Sequence, residues 1–78
     1  MALYEGGWAR GTTGQDAGRI FRLVAPRGDA WLCQVVDTES GESRYRTEVR
    51  VDGLESIDAE REPLLFLSLE AIAGPYPY

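Results

Sequence analysis

The sequence predicts a small α+β domain: an antiparallel sheet of three to four strands covered by one C-terminal helix. Three observations predict it. Residues 42–51, ESRYRTEVRV, alternate without a break, with Tyr45, Thr47, Val49 and Val51 on one parity and Arg44, Arg46, Glu48 and Arg50 on the other. Such a period of two is a half-buried strand. Residues 30–38, AWLCQVVDT, are rich in aromatic and β-branched side chains and are joined to that strand by a Ser-Gly turn, so the two form a hairpin. Residues 63–75, PLLFLSLEAIAGP, begin with proline and close with Gly74 and Pro75, which is helix punctuation.

From the N-terminus, Leu3–Tyr4 read as a short strand. Residues 6–18, GGWARGTTGQDAG, hold five of the nine glycines and read as a loop anchored by Trp8, because glycine carries the largest backbone entropy cost on folding. RIFRLVA (19–25) is strand-like, and PRGD (26–29) is a turn by composition. Residues 51–62 are polar, with Leu54 and Ile57 three apart, which suits a helical turn or an ordered loop. For 63–73 the Leu, Glu and Ala content agrees with the punctuation and favours helix. The same residues also alternate, and as a strand they would complete an all-β, SH3-like barrel instead. A short Pro/Tyr tail spans 75–78.

Seventy-eight residues make one small domain. Chains of this size usually need a staple. A lone Cys33 makes no disulfide within the chain, and the absence of histidine argues against a zinc site. Oligomerisation is the remaining device. No charged-then-apolar leader opens the chain and no apolar run approaches a membrane span, so a cytoplasmic location is expected.

Catalysis is disfavoured residue by residue. The commonest general base, histidine, is missing, as is lysine, and no serine sits in a G-x-S-x-G turn. Cys33 has no histidine to activate it and lies on the parity of Trp31 and Val35, so it reads as a buried small hydrophobe. Asp52, Glu55, Asp58, Glu60 and Glu62 read as a surface acidic cluster, since nothing nearby promises the burial that raises a carboxylate pKa. Gly11, Gly14 and Gly18 match neither phosphate-binding glycine pattern, and DTESGE and DGLESIDAE lack the ligand spacing of a calcium loop. No cofactor or metal is expected.

Contact with another protein is what remains. The net charge is −5, and residues 37–62 hold nine acids against four arginines. That balance disfavours direct nucleic-acid binding, although Arg44, Arg46 and Arg50 line one strand face. Those arginines read mainly as a solvated face balanced by cross-strand acids. The leading expectation is a non-catalytic module, an inhibitor or regulator covering a basic surface of a partner such as a nucleic-acid enzyme. A phage anti-defence (anti-CRISPR) or immunity protein fits that description. The candidate contact residues are Asp52, Glu55, Asp58, Glu60, Arg44, Arg46 and Arg50. Alternatives are an accessory subunit of a larger complex, or a small-ligand-binding oligomer using Trp8 and Trp31. A helix over 63–73 would be apolar all round, more than one small sheet can cover. A homodimer is therefore expected, with Leu64, Phe66, Leu67, Tyr76 and Tyr78 as its interface.

Overall fold

The computed structural model describes residues 3–40 and 42–74, except for the side chains of residues 43 and 44. A five-stranded antiparallel sheet is formed by β1 (Trp8–Gly11), β2 (Ile20–Arg27), β3 (Ala30–Val36), β4 (Ser43–Arg50) and β5 (Leu54–Ile57), and helix α1 (Pro63–Ala73) follows it. The spatial order is β4-β3-β2-β1-β5. The expected α+β class is therefore present, with one strand more than foreseen. The sheet does not close into a barrel.

Local chemistry explains the hairpins. Gly28, at φ 63°, opens the two-residue turn between β2 and β3. A two-residue hairpin turn needs that left-handed conformation, which glycine adopts without strain. In the β3–β4 turn the Asp37 carboxylate accepts the backbone N–H groups of Glu39 and Ser40. The helix begins at Pro63 and ends at Gly74, whose φ is 75°, as its punctuation predicts.

Three expectations need correction. The glycine-rich stretch 6–18 is not all loop, because it contains β1, which is hydrogen-bonded on both sides, while Leu3–Tyr4 lie outside the sheet. Ala9 is fully buried there, and Gly11 is pressed against the backbone of Asp16 as the β1–β2 connection folds back. Small residues are what this crowding requires, and they also hide the strand from a reading by composition. The polar stretch 51–62 likewise contains β5 after a 3-10 turn at Val51–Gly53, and returns the chain to the far side of β1.

The sheet carries an apolar cluster on each face. Ala9, Phe21, Leu23, Cys33, Val35 and Val49 form one, with Leu3, Trp31 and Leu54 at its margin. Trp8, Val36, Ile57 and Leu69 form the other, beneath α1, with Ile20, Leu65, Phe66 and Ala73 packed against it. Alternation along each strand sends successive side chains to the two clusters. Cys33 is buried in the first, as its parity predicts.

Candidate interaction site

A row of paired residues crosses the helix-facing side of the sheet: Ile57, Trp8, Arg22, Gln34 and Arg46. It docks the helix. Trp8 Nε1 donates to Glu70 Oε2 at 2.7 Å, and Arg22 Nη2 lies 3.3 Å from the same oxygen. The Arg22 guanidinium stacks 4.4 Å from the centroid of the Trp8 ring and donates to the carbonyls of Gly6 and Gly74. A cation at the last carbonyls of a helix also complements its dipole. Further along, Arg46 Nε donates to Gln34 Oε1, and Gln34 Nε2 to the Tyr45 carbonyl. Trp8 is thus enclosed, and Trp31 lies half-buried against the opposite cluster.

The expected acidic patch is divided up by the fold. Asp58 is buried and structural: its Oδ1 accepts the N–H groups of Glu60 and Arg61 in the turn that leads into α1. That placement corrects its assignment to a contact surface, and the reason is a hydrogen-bonding role typical of aspartate before a helix. Glu55 lies 3.3 Å from Arg10, whose other nitrogen reaches Glu62 at 2.6 Å. That bond raises the Arg10 pKa further above its ordinary value. Asp52 faces Arg50, which also faces Asp29, and both pairs are well exposed. Glu60 is exposed in the turn before α1.

On β4, Arg46 and Arg50 are exposed as expected, while the Arg44 side chain lies outside the described residues. The partner of Arg46 is Gln34, and the partners of Arg50 are Asp29 and Asp52. On the opposite parity, among the described side chains of β4, only Val49 is buried; Tyr45 is 48% exposed. An edge strand has no neighbour to cover the far end of its inner face, and alternation by itself does not reveal which strand is the edge.

On α1, Leu64 and Leu67 are exposed, whereas Phe66 turns toward the sheet. Tyr76 and Tyr78 lie outside the described residues.

A groove of about 430 Å³, which sequence reasoning did not locate, opens where the β3–β4 turn meets the start of β2. Tyr45 forms one wall, Val35 and Val36 contribute apolar surface, and Asp37 and Glu39 stand on the turn side. Arg19 donates to the Tyr45 hydroxyl at 2.6 Å and lies 3.7 Å from Asp16, so the tyrosine is held from its polar end and the arginine's charge is partly offset. An exposed aromatic beside carboxylates suits the aliphatic stem and cationic head of a basic side chain. The sequence shows Asp37 and Glu39 at the β3–β4 turn, but its alternation assigns Tyr45 to the core face, and it is the edge position of β4 that leaves this tyrosine exposed.

Among the described residues no group of three or more histidine, cysteine or acidic side chains is placed to hold a metal ion, and no helix is long and apolar enough to cross a membrane. No family model, curated protein or solved structure matches this chain.

Proposed function

We propose that the chain is a non-catalytic protein-binding module, an inhibitor or regulator that covers a basic surface of a partner protein, as a phage anti-defence or immunity protein does. The observation that carries this reading is the Tyr45 groove with Asp37 and Glu39 beside it. A basic side chain from the partner lays its stem against Tyr45 and Val35 and directs its charge to the exposed Glu39 carboxylate. The net charge of −5 speeds the encounter at long range and makes it sensitive to salt. Nucleic acid is disfavoured by the same charge, and Arg10, Arg19, Arg22 and Arg50 all face carboxylates within the fold.

The test is an NMR titration of the labelled protein with an arginine-rich peptide and, separately, with a single-stranded oligonucleotide. The peptide is expected to shift the amides of Thr38, Glu39 and Tyr45, with weaker binding in added salt, and Glu39→Lys is expected to reduce it. Peptide shifts confined to other residues, or tighter binding of the oligonucleotide, would overturn the reading.

A further inference from the structure

The Tyr45 groove is open to water, and that openness decides which basic side chain it suits. Tyr45 is exposed and forms the aromatic wall, while Val35 and Val36 are buried and contribute only a narrow floor. Asp37 Oδ1 already accepts the N–H groups of Glu39 and Ser40. Glu39 is exposed, and its carboxylate faces no cation among the described residues. A guest cation therefore meets one exposed carboxylate in water, and such a pair by itself strengthens binding by at most about fivefold. Charge alone does not hold a side chain here, and contact with the Tyr45 ring has to supply the rest. That ring is fixed in advance. Arg19 Nη1 donates to its hydroxyl at 2.6 Å, and Asp16, 3.7 Å from the same nitrogen, offsets part of the Arg19 charge. A ring held from its polar end offers its surface without first losing rotational freedom, so less of the contact energy goes into ordering it.

We infer that this groove selects arginine over lysine in its partner, with the Tyr45 ring as the specificity-determining group; the inference rests on the protein-binding reading above. The two cations differ in the property to which the groove is sensitive. A guanidinium is flat and weakly hydrated, so it stacks on an aromatic face while its edge still directs N–H groups at a carboxylate beside it. Tyr45 and Glu39, lining one groove, offer that combination of a face and an acceptor. An ammonium is a compact, strongly hydrated point charge, and in an open groove it keeps its water. It gains the exposed ion pair and little of the ring. A cation stacked on an exposed ring binds about two- to fivefold more tightly than one without it. Together with the better fit of a planar donor fork to a carboxylate, this sets an expected preference for arginine of roughly three- to tenfold.

The test compares two peptides of equal length and charge, one arginine-rich and one with every arginine replaced by lysine, each titrated into the labelled protein and followed by NMR. Both are expected to shift the amides of Thr38, Glu39 and Tyr45, the arginine peptide at roughly three- to tenfold lower concentration. Arginine-rich peptides also bind acidic surfaces in general, so the ring is tested separately. Tyr45→Ala is expected to bring the two peptides within about twofold of each other, whereas Tyr45→Phe, which keeps the ring, is expected to retain a preference for arginine. The wild-type comparison decides the matter even where a variant fails to fold. Equal affinity of the two peptides at these amides, or an undiminished preference in a folded Tyr45→Ala, would overturn the inference and leave the protein-binding reading in place. No shift at these amides with either peptide would overturn both.

Discussion

Removing the Glu70 carboxylate tests how α1 is held to the sheet. One oxygen of Glu70 serves two donors, the Trp8 indole N–H at 2.7 Å and the Arg22 guanidinium at 3.3 Å. In Glu70→Ala the buried indole loses an acceptor that was charged, which costs about 1.5–3 kcal/mol. The ion pair adds less. The Glu70 side chain is 40% exposed, so its attraction for Arg22 is screened and contributes roughly 0.5–1 kcal/mol. Arg22 keeps the Gly6 and Gly74 carbonyls and the Trp8 ring, so its charge is not stranded. Because both losses share one oxygen they are not fully additive, and the expected cost is about 2–3 kcal/mol. For a domain this small that is a large share of the total stability and lowers the melting temperature by roughly 10–20 °C. Glu70→Gln keeps an acceptor for Trp8 and loses only the charge, with an expected cost of about 1 kcal/mol. Urea unfolding followed by tryptophan fluorescence measures both, with an unchanged m-value confirming that the folded and unfolded states are still comparable. A Glu70→Ala variant within about 0.5 kcal/mol of wild type would refute the docking role.

Three further outcomes are expected. Gly11→Ala places a Cβ against the backbone oxygen of Asp16, which cannot swing aside as a side chain would, and is expected to destabilise by more than about 2 kcal/mol in chemical denaturation. Burial, with a smaller contribution from the Asp16 charge, pushes the Cys33 thiol from its ordinary value of 9.0 up to about 11. The unfolded chain then loses its proton first, so the associated stability is complete below pH about 9 and declines by about 3 kcal/mol as pH rises through 11. Alkaline unfolding of wild type against Cys33→Ala checks this, and a Cys33→Ala variant with an equally steep decline would contradict it. Arg50 is 67% exposed and paired with Asp29 and Asp52 only at 3.4 and 3.6 Å, so Arg50→Ala is expected to change stability by less than about 0.5 kcal/mol. A larger loss in thermal unfolding would make that exposed network a structural element.

What short-range chemistry controls is legible in the order of residues. The 42–51 strand follows from alternation, the β2–β3 turn from glycine beside Asp29, and the bounds of α1 from Pro63 and Gly74. Cys33 is inside because its parity matches its apolar neighbours. The long-range partners come from packing. β1 is hydrogen-bonded on both sides although its residues are small and glycine-flanked, because pairing with β2 and β5 supplies what its own propensity lacks. Asp58 and Arg22 look like surface charges in the sequence. One is buried by a turn it helps to build, the other between an indole and the end of a helix 52 residues further along the chain. Asp58 is held by N–H groups only two and three residues away, whereas Arg22 enters the interior because Gly6, Trp8, Glu70 and Gly74 converge on it from distant segments, and that convergence is a property of packing rather than of any local stretch of sequence.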